Sequence, residues 1–343
     1  MAFYRTQCLI LDRYAYIHPS SFTLSYPSPA ATRISSALLS ARAPLIITSF
    51  LGRNPRSVAA LTSLSLLLAI PVCISCPDTV NIPFSHPYYS VVSLLAPGTH
   101  SPHLATADVI LVIDCDLPWV PENDHPQDSA RVFIVDSGNP LKDNVGFWHV
   151  GAELVCNADS EVALGQIVET VRRIDEKWGV VGEAILGSQA LIDRGQALEK
   201  EHEEMIRRIS AAENAYPQVD SASTNQIPSI TVPNVLGVLR RAIQELTPSK
   251  GLKTLVLNEG ITNCLHVWLH MRPEVPGDMF MSGGSSLGWA LGAAVGAHIS
   301  GEVADAEQGK RYDFLVAIVG DGSFLFGVPS SAYWMARRYN TVG

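Results

Sequence analysis

The chain has 343 residues, 47% hydrophobic and 17% charged, which is enough for two ordinary domains with large cores. A net charge of −9 with no basic cluster argues against nucleic acid as a partner. Six scattered cysteines form no disulfide framework for a chain this long, so a reducing compartment is expected.

Residues 1–30 are rich in Tyr, Ser and Pro, hold only Asp12 as an acid, and read as an atypical or disordered tail. The cytoplasm is the expected location, and the acid-poor N-terminus leaves mitochondrial import as the alternative. Ala31–Ala41 reads as a helix and Pro44–Thr48 as a short apolar strand. Asn54-Pro55 is a good start signal for a helix to Ala69. Val58–Ile74 is the most apolar window, but Thr62, Ser63, Ser65 and Pro71 interrupt it. It is shorter than the roughly 20 apolar residues of a membrane span, so a buried helix, a turn and a buried strand are expected, with no membrane partner. Cys73-Ile-Ser-Cys76 spells C-x-x-C, yet Pro77 stands where a redox motif would open a helix. Two core or strand-end cysteines are the better reading.

Strands follow at Asp108–Ile113, Arg131–Val135 and Glu153–Cys156, then a helix at Ser160–Ile174. Short continuous apolar strands alternating with helices predict a parallel, doubly wound α/β sheet over residues 31–180. Residues 181–231 hold a charged, solvated helix at Asp193–Glu213 and a Pro-, Ser- and Asn-rich linker. A second α/β domain is expected over 232–343. It begins with a helix at Pro233–Leu246, a strand at Lys253–Leu257 and a helix at Ile261–His270. His266 and His270 have metal-ligand spacing, but without a third ligand they read as helix-face histidines.

The apolar run Phe314–Val319 stops at Gly320-Asp321-Gly322-Ser323, with a helix from Pro329 to Tyr339 beyond. A carboxylate between two glycines at the end of a buried strand suits a metal-bound phosphate. Asp321 offers an oxygen to a hard cation, and the glycines let backbone N–H groups approach phosphate oxygens. Alone the tetrapeptide is weak, because strand-to-turn junctions often use these residues. Upstream, Met281–Ala297 is a Gly- and Ser-rich turn running into a helix of small residues.

Together these two segments resemble the cofactor-binding domain of the thiamine-diphosphate enzymes, in the acetolactate synthase and benzoylformate decarboxylase branch. The resemblance extends to a central domain through Ala43-Pro-Leu-Ile-Ile-Thr-Ser49, Gly52-Arg-Asn-Pro55 and Asn81-Ile-Pro-Phe-Ser-His-Pro87. It implies two doubly wound parallel-sheet domains that use thiamine diphosphate and Mg²⁺ to decarboxylate a 2-oxo acid or join it to a second carbonyl. Asp321 matches the Mg²⁺-binding aspartate. Gly320, Gly322 and Ser323 match the diphosphate-contacting turn, and Ile261 and Thr262 match a second contacting loop at a helix N-terminus. Leu287 matches the apolar residue that wedges the cofactor into a bent form, and the Ser285 carbonyl would accept a hydrogen bond from its amine.

The family's pyrimidine-binding domain, with its activating glutamate, has no counterpart here, so no catalytic residue is assigned. The second side-chain Mg²⁺ ligand would fall beyond Asn340. The chain is therefore read as an incomplete, C-terminally truncated family member that is inactive alone. A homo-oligomer or association with a full-length relative is expected, and a non-catalytic homologue is the alternative. The single glycine of Ser49-Phe50-Leu51-Gly52 speaks against FAD. The absence of a G-x-G-x-x-G after an early strand disfavours NAD.

Overall fold

The computed structural model describes residues 7–9, 29–137, 150–216, 230–282, 287–308 and 312–340, with 7–9 and 302–308 as backbone only. Contacts divide the chain into two compact units, 1–77 with 86–202, and 78–85 with 203–343. Among the described residues no helix is long and apolar enough to cross a membrane.

Unit 1 runs through β1 (Gln7–Leu9), α1 (Pro29–Ser40), β2 (Pro44–Thr48), α2 (Pro55–Leu68) and β3 (Val72–Ser75). It continues with β4 (Tyr89–Ser93), β5 (Val109–Ile113), β6 (Arg131–Asp136), β7 (Leu154–Asn157) and α3 (Ser160–Val180). The sheet order is β1-β7-β6-β5-β2-β3-β4. All pairs are parallel except β1 with β7. The order reverses between β2 and β5, which makes the sheet doubly wound. Both central strands are buried along their whole length, as continuous apolar runs require when both faces are covered. Leu45, Ile47, Ile110, Val112, Val132 and Ile134 face a layer containing Leu104, Trp119 and Val150. Asn54 caps α2 by accepting from the Arg56 N–H at 3.1 Å, with Pro55 in the first turn.

Cys73 lies buried in β3 and Cys76 is exposed just past its end, both as free thiols. Strand β4 was not expected from the sequence, because Tyr-Ser-Val-Val-Ser mixes polar and apolar residues without clear alternation. His86 is a packing residue of this unit. It is 4% exposed, and its Nε2 lies 2.9 Å from Ser65 Oγ, which in turn donates to Ile70 O at 2.7 Å. Burial pushes its pKa down to about 4, and neighbouring His202 acts in the same direction. In an unfolded chain the ring titrates near about 6.5, so on acidification the unfolded state takes the proton first. The His86 contribution is complete above about pH 6.5 and is lost as pH falls towards about 4. Urea midpoints measured across this window should therefore decline, and His86→Gln should flatten the decline. Identical slopes for both proteins would remove His86 as the cause.

Helix α4 (Gln189–Asn214) carries the charged stretch. It was expected to be solvated, yet a charged side chain turns inward towards each end, half-buried Arg194 and buried Glu213. In unit 1, Arg194 donates to the carbonyls of Leu68 and Ala69 at 2.5 and 3.0 Å, and to those of Ala41 and Arg42 at 3.2 and 3.3 Å. One guanidinium thus satisfies carbonyls at the C-termini of α2 and α1, where a cation is favoured.

Unit 2 contains α5 (Val232–Leu246), β8 (Thr254–Glu259), α6 (Cys264–Met271), β9 (Met279–Met281) and α7 (Trp289–Gln308). It ends with β10 (Phe314–Val319), α8 (Asp321–Phe326) and α9 (Pro329–Arg338). Its sheet is parallel in the order β10-β8-β9. Strand β8 extends two residues past the expected Leu257. Its polar end is satisfied locally, with Asn258 Nδ2 donating to Cys264 O at 3.0 Å and Asn258 Oδ1 accepting from Gly260 N–H at 3.2 Å. The small face of α7, Ala290, Ala293, Ala294 and Ala297, packs on Leu255 and Leu257 of β8 and on Leu315 and Ala317 of β10. Strand β9, Met-Phe-Met, is too short to show a period in sequence.

Candidate functional site

In unit 2 the chain leaves β8 for β9 on one side, while β10 lies on the other. The C-terminal ends of β8 and β10 are thus the switch point of the sheet, where open α/β sheets form a crevice. Two of the three expected segments start there: 260–263 after β8 and 320–323 after β10.

Gly320-Asp321-Gly322-Ser323 is the opening of a short helix, α8, rather than the plain turn expected before the helix at Pro329. The Phe324 N–H closes the first turn onto Gly320 O at 2.9 Å, so the N–H groups of Asp321, Gly322 and Ser323 lie outside the helical ladder. Asp321 is exposed and Ser323 is 1% exposed. The Ser323 hydroxyl donates inward to Glu259 O at 3.1 Å, which leaves its backbone for any outward contact.

Gly320 and Gly322 have no internal reason to be glycine. A Cβ built on either meets no atom of the described residues within 4 Å, and neither has a left-handed φ. Gly320, at φ −77° and ψ 165°, is ordinary extended backbone. The opposite holds at Gly288, with φ +97°, where a Cβ would stand 2.7 Å from Phe326 C and 2.8 Å from Gly327 N. There the fold itself demands glycine, because α7 and the end of α8 approach backbone to backbone.

Ile261 and Thr262 lie in a short 3₁₀ turn after Gly260, and both are exposed. Neither that turn nor α6 has a side-chain cap, so Thr262 is not serving as an ordinary helix cap. Leu287 is 38% exposed immediately before Gly288, too open for a core residue. Ser285 lies outside the described residues.

Glu259 ties these pieces together, and it was not singled out from the sequence. It is 2% exposed at the end of β8. Its Oε1 accepts from the Gly288 and Trp289 N–H groups at 2.6 and 3.0 Å, and its Oε2 accepts from the Ala290 N–H at 2.8 Å. A carboxylate at the N-terminus of a long helix is favoured by both hydrogen bonding and the helix dipole. Its main-chain carbonyl accepts from Gly320 N–H at 3.3 Å besides Ser323 Oγ. The available signal was an acid closing a continuous apolar strand, since a buried carboxylate requires partners.

Among the described residues no three His, Cys, Asp or Glu side chains cluster as a metal site. His266 and His270 stack on α6 with ring centroids 5.8 Å apart, and His270 Nδ1 lies 3.2 Å from Glu213 Oε1 instead of facing a ligand. Mg²⁺ is commonly held by one or two carboxylates plus phosphate oxygens. A lone Asp321 beside open glycine backbone fits that arrangement.

At the switch point of unit 1 the backbone is committed internally. Ser49 N–H and Phe50 N–H both donate to Asp114 O at 2.9 Å, and Ser49 Oγ donates to Ser75 O at 2.5 Å. These are the groups of the first strand-to-helix turn that a dinucleotide fold aims at pyrophosphate.

Such a glycine-lined switch point with one exposed carboxylate suits a metal-bound phosphate. Residues 260–342, roughly a quarter of the chain, match the family model of the thiamine pyrophosphate enzyme C-terminal TPP-binding domain. Solved structures give the same fold. A 4-hydroxybenzoylformate decarboxylase from Rhodococcus jostii, named as thiamine diphosphate-dependent, is 19% identical with a TM-score of 0.61, over 95% of this chain and 51% of its own. A protein from Mycobacterium smegmatis described as a thiamin diphosphate-dependent enzyme is 17% identical with a TM-score of 0.59, over 90% and 50%. A benzoylformate decarboxylase from Polynucleobacter necessarius is 16% identical with a TM-score of 0.59, over 89% and 48%. The chain thus spans about half the length of these structures.

Proposed function

We propose that unit 2 binds thiamine diphosphate through Mg²⁺, and that the protein serves decarboxylation or carboligation of a 2-oxo acid. The observation that carries this reading is the pair of glycines, Gly320 and Gly322, kept bare where none of the described residues would crowd a side chain. Glycine costs helix stability relative to alanine, so its use at Gly322 points to a group approaching the backbone from outside. Asp321 would hold the cation, and the backbone N–H groups of 261, 262 and 322 would face the diphosphate. Leu287, exposed two residues before α7, would press on the cofactor from below. When bound, the cofactor supplies the nucleophilic carbon for attack on the 2-oxo acid, while the protein supplies position and charge.

No dinucleotide is assigned to unit 1, because its switch-point N–H groups already serve Asp114. Assembly with a second copy or with a longer relative is part of the proposal. Leu325, Phe326 and Trp334 on α8 and α9 are 71%, 70% and 63% exposed, and apolar surface of this kind favours a protein neighbour. The test is isothermal titration of thiamine diphosphate with Mg²⁺ into the full chain. Saturable heat is expected, and Asp321→Ala should weaken binding at least about tenfold, as loss of a charged contact predicts. No heat at millimolar cofactor from folded protein would reject the proposal and favour a non-catalytic homologue.

A further inference from the structure

We infer that Glu259 is a positioning residue whose two ends serve different parts of the cofactor, the side chain the wedge and the main chain the diphosphate cradle. The inference rests on the function proposed above and deepens it. The carboxylate accepts three N–H groups of consecutive residues, Gly288, Trp289 and Ala290. These residues directly follow Leu287, so the carboxylate fixes where the wedge emerges. Gly288 allows no alternative path, because its positive φ and its approach to the Phe326 backbone fix the turn on the other side. The carbonyl of the same residue accepts Gly320 N–H and Ser323 Oγ–H, which flank the Asp321-Gly322 pair. One buried residue at the end of the central strand therefore sets the spacing between wedge and cradle.

The division of labour makes a specific prediction. Changing only the side chain should disturb the wedge and spare the cradle. In Glu259→Gln, the amide nitrogen would face N–H donors that now meet a carboxylate oxygen, a mismatch that leaves buried donors unpaired. The probes are thiamine diphosphate, which engages both parts, and inorganic pyrophosphate, which engages the cradle alone, each titrated with Mg²⁺ into the full chain. In Glu259→Gln, thiamine diphosphate affinity should fall by about 10- to 100-fold while pyrophosphate affinity stays within about threefold. Hydrogen exchange of the Gly288–Ala290 amides should accelerate, with those of Gly320 and Ser323 unchanged.

Equal loss of both affinities, or equal retention of both, would overturn the inference, since a merely structural residue would move the two together. A wild-type chain that binds neither probe would overturn the functional reading instead, and the inference with it. Glu259→Asp keeps the charge but shortens the reach, and should show the same split at smaller size if the Gln variant does not fold.

Discussion

Glu213→Ala is expected to destabilise unit 2 by about 3–5 kcal/mol, the cost typical of removing one partner from a buried ionic network. Glu213 lies near the end of α4 and is 1% exposed. Its Oε2 meets Arg240 Nη2 at 2.6 Å and Arg241 Nη1 at 3.5 Å, while Oε1 meets Arg272 Nη2 at 2.9 Å and His270 Nδ1 at 3.2 Å. Elements α4, α5 and α6 thus converge on one carboxylate. Gly237 makes room for it, since a Cβ there would stand 2.8 Å from the Glu213 side chain. Burial alone would raise the Glu213 pKa, but the His270 hydrogen bond and the Arg240 and Arg272 charges overcome it and hold the pKa below the usual carboxylate range. Such a group contributes fully above its unfolded value of about 4.3, and the contribution is lost as pH falls through the lower folded value.

The variant leaves half-buried guanidinium groups around an emptied buried site without their counter-charge, so the loss should exceed that of a surface ion pair, about 0–1 kcal/mol. Urea denaturation followed by segment-resolved hydrogen exchange checks this. Residues 230–282 should lose protection while β2, β5 and β6 keep theirs. A shift below about 1 kcal/mol would mean that the network is solvated in practice.

Most of unit 1 was legible because its core strands, Pro44–Thr48 and Val109–Ile113, are uninterrupted apolar runs between good turn and cap signals. What the sequence concealed is which polar residues turn inward. Arg194 and Glu213 sit in a stretch whose charge density reads as a solvated face. Which of its many charges turns inward depends on helix C-termini and arginines far along the chain. The same holds at the candidate site. Asp321 and the glycines stand out as a local pattern. Glu259 acts on residues about thirty positions away, and its role follows only from the sheet order that brings β8, β10 and the start of α7 together. Short elements such as β9 were lost for a simpler reason, since three residues show no period.

The glycines separate binding from stability most sharply. The double variant Gly320→Val with Gly322→Ala should fold as well as wild type, yet bind thiamine diphosphate with Mg²⁺ roughly 100-fold more weakly or worse, because two new side chains would overpack the contact. At Gly320 the backbone is extended, which suits a β-branched residue, and a Cβ meets nothing within 4 Å. At Gly322, within α8, alanine is the better helix former by about 1 kcal/mol. Stability should thus stay level or rise slightly. Gly288→Ala should do the reverse to the fold. Its φ of +97° and a Cβ 2.7–2.8 Å from the Phe326 and Gly327 backbone leave no relaxation by side-chain movement. A loss of about 2–5 kcal/mol is expected from strain plus overpacking. Thermal denaturation and cofactor titration of both variants give four numbers. If the double variant binds as wild type does, the bare glycines are incidental and the diphosphate lies elsewhere. If it unfolds, the open space beside them is occupied in the working protein by other parts of the polypeptide.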